Sequence, residues 1–223
     1  MQSTLTKLFC SLLLTLLVSA SGHCQEDARA SKKTHKGEFH GLLKLGLTGS
    51  QIYGDDFGGY NKLGFTAGVG TFTNISKVVK FQIEINYATR GSRKPPNPKT
   101  SDFTTFRIAP HYIDIPLLFK KEIGPFEFEL GICNGIYLFH KESDEKGKIP
   151  SSLNTWQFNR YELAANAGIN TAINEKWQFN ARFHYSITPA LGKRGIVRQF
   201  SYYGGAYSNV ISLSLIRVLL PKH

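Results

Sequence analysis

Apolar and polar residues alternate with a period of two along most of this chain. After Lys80, Phe81, Ile83, Ile85 and Tyr87 share one face, while Gln82, Glu84, Asn86 and Ala88 share the other. Tyr161, Leu163, Ala165, Ala167 and Ile169 likewise oppose Glu162, Ala164, Asn166, Gly168 and Asn170. Trp177, Phe179, Ala181, Phe183, Tyr185 and Ile187 oppose Gln178, Asn180, Arg182, His184, Ser186 and Thr188, and Ile211, Leu213 and Leu215 oppose Ser212 and Ser214. This alternation marks strands with two unlike faces. The 3.6-residue period of an amphipathic helix does not recur, so the expected class is all-β.

Eight such runs cover about 39–48, 62–72, 78–90, 104–120, 125–139, 158–172, 176–188 and 206–219. Their connections alternate in length. Short links fall at Thr73–Lys77, Lys121–Gly124 and Ile173–Glu175; long polar links fall at Gly49–Asn61, Gly91–Phe103, His140–Gln157 and Pro189–Gly205. Three tight turns interleaved with four long loops predict an eight-stranded antiparallel transmembrane β-barrel of the OmpA-type up-and-down kind, with turns on the periplasmic side.

A soluble barrel would share the alternation but point its apolar face inward. Two features favour the membrane. Tyr87, Tyr161, Trp177 and Tyr185 place aromatics at strand ends on the apolar face, as an interfacial girdle requires. The polar faces carry both signs of charge, in Lys44, Glu84, Arg107, Asp114, Glu127, Glu129, Glu162 and Arg182. Eight strands enclose a lumen that side chains can fill, so these charges are expected to pair inside and plug it.

The N-terminus carries an address. Lys7, the apolar run Leu8 to Val18 and the small residues Ser19, Ala20, Ser21 and Gly22 fit a secretory signal peptide over 1–24, cut after Gly22 or Cys24. His23 before Cys24 argues against a lipoprotein, and eleven apolar residues are too few to span a bilayer. Gln25 to Glu38, with Lys32, Lys33 and Lys36, reads as a periplasmic lead-in, and 39–220 as the barrel. The leader takes Cys10 and Cys24 with it and leaves Cys133 alone, so no internal disulfide is expected. No later stretch holds 18 consecutive apolar residues, so a membrane crossing would require a closed barrel.

The composition agrees. The 223 residues carry 27 Lys and Arg against 16 Asp and Glu, a formal net charge of +11. Hydrophobic residues at 41% with charged residues at 19% exclude a disordered polyelectrolyte. Three cysteines exclude a disulfide-built mini-domain and a multi-cysteine zinc module.

Four stretches then resemble a known family. Gly49 to Val69 (GSQIYGDDFGGYNKLGFTAGV), Asn86 to Ser92 (NYATRGS), Tyr112 to Lys120 (YIDIPLLFK) and Phe128 to Leu138 (FELGICNGIYL) resemble, in order, segments of the PorT-like outer-membrane barrels of Bacteroidota. The resemblance implies an outer-membrane location and a non-enzymatic role as an envelope scaffold or a component of a secretion or assembly system. The chain departs from that pattern in ending Leu219-Leu220-Pro221-Lys222-His223, without an aromatic insertion signal. Within the motifs, Pro116 should mark a bulge or a local break in pairing, and Gly64, Gly68 and Gly70 should make room for large side chains on the lumen side.

Candidate chemistry is sparse. His184 and Ser186 share a face, as in some lipid-cleaving barrels, yet no Asp or Glu follows Glu175, so a third group could come only from Glu84 or Glu162 across the barrel, and packing is the favoured reading. His111 and His184, expected on lumen faces, form no metal signature, and Cys133 reads as a packing residue. Asp55, Asp56 and Asn61 match no standard calcium loop and suit turn chemistry better. No nucleotide-binding motif is present, so no cofactor, metal or catalytic residue is expected.

Basic residues gather in two long loops: Arg90, Arg93, Lys94 and Lys99 in one, Lys193, Arg194 and Arg198 in the other. At the outer face they would meet anionic lipopolysaccharide and outer-membrane lipid, besides any envelope or secretion-system partner; an exported protein without a recognition module is not expected to bind nucleic acid. A small solute channel and a soluble secreted ligand-binding barrel remain as alternative functions.

Overall fold

The computed structural model describes residues 38–55, 57–97, 102–150, 156–191 and 205–219. Outside them lie the expected leader, Lys32, Lys33 and Lys36 of the expected lead-in, Asp56, Lys99, Lys193, Arg194, Arg198 and Leu220 to His223.

Among the described residues there are ten strands: β1 (Phe39–Tyr53), β2 (Lys62–Asn74), β3 (Val79–Thr89), β4 (Ser92–Lys94), β5 (Phe106–Ile123), β6 (Phe126–Asp144), β7 (Gly147–Ile149), β8 (Tyr161–Ala172), β9 (Trp177–Ser186) and β10 (Tyr207–Leu219). Eight close a ring in the order β1-β2-β3-β5-β6-β8-β9-β10, with β10 returning to β1 over thirteen residue pairs. Every pairing is antiparallel, and closure leaves these eight strands no free edge within the ring. The eight expected runs fall on these eight strands, but β1 runs on to Tyr53, β5 to Ile123 and β6 to Asp144, into segments expected as links, and β4 and β7 lie within expected long loops.

Local chemistry accounts for the turns. Gly124 has φ of 61° and leads a two-residue turn with Pro125 between Ile123 and Phe126. Proline fixes a negative φ at the second position, so the turn is of the II′ kind that suits hairpin twist. Asn174 Oδ1 accepts from the Lys176 and Trp177 amides in the β8–β9 turn. Asp55 Oδ1 accepts from the Phe57 amide, the turn chemistry expected there.

The faces are inverted relative to a soluble barrel. Leu45, Leu47, Phe65, Ile85, Leu130, Ile132, Phe183, Leu213 and Leu215 are exposed on the outside, while Glu84, Glu129, Glu162 and Arg182 are buried within. Only a lipid surround makes this arrangement favourable, since water would have to solvate the apolar band. Tyr161, Trp177 and Tyr185 are exposed near the ends of their strands.

The hairpin of β5 and β6 is the longest element, at 18 and 19 residues where about ten suffice to cross a bilayer. Its far end carries β4 on one side and β7 on the other. A bulge at Leu138 shifts the β6 register between His111 and Tyr112. Pro116 does interrupt pairing: the β3–β5 ladder skips from Ile83↔Leu117 to Asn86↔Asp114, with no change of register.

Candidate functional site

The lumen is built in layers. At the turn end, Leu42, Phe72, Ile216 and Val218 form an apolar cluster. At the opposite end Ile52, Ile108, Leu191 and Ala206 form another, against which Phe106, Trp156 and Phe158 pack. Leu42, Ile52, Phe72, Phe106, Ile108, Ile216 and Val218 sit on the otherwise polar face of their strands, where strict alternation would not place them. They are a feature that reasoning from alternation missed, and apolar residues breaking the pattern near strand ends were the available signal.

Between the clusters runs a continuous ion-pair network. Arg182 of β9 donates through Nη1 and Nη2 to the two carboxylate oxygens of Glu84 of β3, at 3.0 and 2.8 Å, and through Nε to Glu129 of β6 at 2.6 Å. Lys44 of β1 lies 3.6 Å from Glu84. Lys120 of β5 reaches Glu127 at 3.2 Å and Glu129 at 3.4 Å, and Lys80 of β3 pairs with Glu127 and Glu122. Asn170 and Asn180 each donate to Glu129 at 3.0 Å. Glycines supply the space: a Cβ at Gly168 would press on the Glu129 carboxylate at 2.5 Å, and one at Gly70 would meet Glu84 Cγ at 3.0 Å.

A second group lies nearer the loop end. Arg90 Nη2 donates to Asp114 at 2.9 Å and Nη1 to Glu162 at 3.0 Å, with the guanidinium 3.8 Å above the Tyr112 ring. Arg90 Nη1 also contacts His184 Nε2. His184 Nε2 also lies 3.4 Å from Glu162 Oε1, and its Nδ1 lies 3.0 Å from Asn166 Oδ1. A cavity of about 40 Å³ lies beside Arg90, Arg182, His184 and Asn86.

Of the eight expected lumen charges, Lys44, Glu84, Asp114, Glu127, Glu129, Glu162 and Arg182 are brought together in this way. Arg107 is a correction: it is exposed on the outside. The only register shift in this hairpin lies in β6, so β5 keeps one parity from Phe106 to Ile123, and Arg107 cannot share the face of Asp114. His111 follows the same parity and stacks on Phe139 at 4.3 Å on the outer face rather than in the lumen. Arg90 is the opposite correction. Expected in an external loop, it continues the inward parity of Glu84, Asn86 and Ala88 past the end of β3 and is 1% exposed. Lys80 and Lys120 were also missed, although both fall on the even, inward parity of their strands.

Arg93 is exposed and Lys94 half-exposed. Lys94 Nζ donates to Asp102 at 2.8 Å, and Thr104 donates to the same carboxylate. These bonds, the Lys94 bond foremost, hold the Asp102 carboxyl down at about 2.

Ser186 is buried in the lumen. Its hydroxyl donates to the Ser208 carbonyl at 3.2 Å and accepts from the Ser208 amide. Cys133 is free and buried on the lumen face. Among the described residues no group of three or more His, Cys, Asp or Glu is arranged to hold a metal.

Residues 31–192 match the family model described as the outer membrane protein beta-barrel domain. No curated protein sequence matches the chain. Among solved structures, Neisserial surface protein A aligns at 14% identity over 80% of this chain and 96% of its own, with a TM-score of 0.46. The attachment invasion locus protein of Yersinia pestis aligns at 13% identity over 82% and 99%, with a TM-score of 0.43. OprG of Pseudomonas aeruginosa aligns at 11% identity over 82% and 94%, with a TM-score of 0.34.

Proposed function

The chain belongs to the outer membrane protein beta-barrel domain family, and from that premise we propose that it is a sealed, non-enzymatic barrel serving as an envelope scaffold or a component of a secretion or assembly system. The outer membrane is its location. One observation carries the reading: the lumen is stoppered by an apolar cluster at each end, with paired charges between. A route for ions or solutes would have to displace both clusters and separate buried ion pairs. What remains available for work is the β5–β6 hairpin with β4 and β7, a protrusion suited to holding a partner. The PorT-like segments support a role in envelope assembly, and the buried, backbone-bonded Ser186 supports a role without catalysis.

The porin reading keeps one observation, the cavity of about 40 Å³. That volume accepts about three waters and no larger solute. Planar-bilayer recording of the folded full-length barrel separates the two. The sealed reading expects no steady conductance above the bare membrane; stable unitary steps from the wild-type chain would replace it with the channel.

A further inference from the structure

The bulge at Leu138 changes which residues of β6 face outward. Before it the even positions do, among them Phe128, Leu130 and Ile132; after it Phe139, Lys141 and Ser143 do, opposite His111, Ala109 and Arg107 of β5. The short strands extend this face on either side. Arg93 of β4 stands opposite Arg107, and Lys148 of β7 stands opposite Ser143. Directly opposed residues share a face. Arg93, Arg107, Ser143 and Lys148 therefore run in one line across β4, β5, β6 and β7, with Lys141 one outward position nearer the barrel. All four cations are exposed, on strands spaced about 4.8 Å apart.

Among the described residues none of the four forms an ion pair. Glu142 is buried on the inward face beside His140 at 3.0 Å, Asp102 is held by Lys94 at 2.8 Å, and Asp144, of the same parity as Glu142, accepts from the Lys146 amide. Like charges directly opposite one another repel, so Arg93 and Arg107 cost the free barrel stability. Nearer the barrel the same face turns aromatic. His111 stacks on Phe139 at 4.3 Å, Tyr87 Oη bonds to His111 Nδ1, and Lys141 Nζ stands 5.8 Å from the centre of the Phe139 ring. Ile113, Ile115, Leu117 and Phe119 carry the outward parity of β5 on into the apolar band. Aromatics at the rim of that band mark the membrane interface. Each outward position adds about 7 Å of strand, so Lys141 lies one step past this rim and Arg107 two. Long basic side chains at that depth lay their stems on the apolar surface and hold their charges at headgroup level.

We propose that the outward row of Arg93, Arg107, Lys141 and Lys148 is a docking surface for the phosphate groups of outer-leaflet lipid headgroups. The guanidiniums bind phosphate oxygens through paired bonds, and the lysines act as point charges. Position selects lipid over an acidic protein: the row is continuous with the aromatic rim and shares its lipid-facing side, away from both the lumen and the hairpin tip. Bound headgroups would brace the β5–β6 hairpin against the membrane. This goes beyond the scaffold reading and does not depend on it. The choice of leaflet rests on the long connections facing outward.

The test uses the full-length chain folded in zwitterionic micelles, where both ends are accessible. It is titrated calorimetrically with micelles carrying diphosphoryl lipid A, and with micelles carrying the same lipid A stripped of its phosphates. Saturable binding of the diphosphoryl form is expected, at least tenfold tighter than that of the stripped form and weakening as salt rises. R93Q/R107Q/K141Q/K148Q should weaken it tenfold or more, and K176Q at the opposite end should leave it unchanged. Heat-modifiable gel mobility verifies folding; should the fourfold variant not fold, R93Q/R107Q and K141Q/K148Q decide, each expected to lose part of the affinity. Absence of saturable binding, equal binding of the two lipid forms, or binding unaltered in the folded variants overturns the proposal. Inorganic phosphate bound as tightly as the lipid also overturns it, in favour of a free-anion site. The leaflet is scored separately by labelling a Lys146→Cys variant in whole cells with an impermeant maleimide. Exclusion of the label there overturns the outer-leaflet assignment and leaves the micelle result standing.

Discussion

Arg182 and Glu84 meet across the full width of the barrel, from β9 and β3, strands four places apart in a ring of eight, through two hydrogen bonds of 3.0 and 2.8 Å. Both side chains are buried, and neither strand touches the other in the sheet. The pair therefore ties opposite walls together, which backbone ladders cannot do.

Removing one partner should be worse than removing both. Glu84→Gln leaves Arg182 with Glu129 alone and Lys44 without its nearest carboxylate. Breaking a buried pair typically costs about 3–5 kcal/mol, whereas apolar replacement of both partners is often neutral. On heat-modifiable gels Glu84→Gln should lower the unfolding temperature clearly, and Glu84→Leu/Arg182→Met should recover much of the loss. Equal damage from the single and double variants would contradict this account of the network.

The pairing pattern of the fold was legible because period-two alternation reports strand faces directly. All eight barrel strands and seven of eight lumen charges follow from parity. Arg107 and Arg90 were misassigned for one reason: parity was not carried through β5 or past the end of β3. The apolar stoppers were hidden because Leu42, Ile52, Phe72 and Ile216 look like noise on a polar face until closure brings them together. Lys62 follows the inward parity of β2, opposite Ser50, and was missed in the same way as Lys80 and Lys120.

Gly131 tests how closely β5 and β6 approach. A Cβ there would overlap the Leu117 carbonyl oxygen, part of the backbone that cannot swing aside. Gly131→Ala should cost at least about 1–3 kcal/mol, the usual penalty for overpacking, and reduce the folded fraction after refolding. Gly124→Ala meets no neighbour and is strained only by having to hold the positive φ of 61°, so its effect should be smaller.

Acid should release the loop between β4 and β5 before the barrel responds. The Asp102 carboxyl is held at about 2, below its ordinary value of 3.8. A depressed carboxyl stabilises the folded form fully above the ordinary value and loses that contribution as pH falls through the lowered one. The Lys94–Asp102 clamp should therefore persist at pH 5, weaken between about pH 4 and 2, and be absent in Asp102→Asn at every pH. Amide exchange of Asn97 and Thr104 reads the change; pH-independent exchange across this window would refute it.

Ser186 should prove dispensable for any lipid chemistry in the membrane. Its hydroxyl is engaged by the Ser208 backbone, and it lies inside the barrel, away from lipid. Ser186→Ala should leave lipid A acylation within twofold of wild type when extracted lipids are compared by mass spectrometry. A larger change would return His184 and Ser186 to candidacy as a hydrolase pair.

Lys62 should cost the barrel stability. Its side chain is buried on the inward parity of β2, opposite Ser50 of β1, and among the described residues no carboxylate pairs with it. An apolar residue of similar length relieves that cost, so Lys62→Met should raise the unfolding temperature by an amount equivalent to about 1–2 kcal/mol, within the range seen when buried charges are replaced by apolar side chains. A side chain that only packed would be destabilised by the substitution. The two roles predict opposite signs, and one thermal series of wild type and variant distinguishes them.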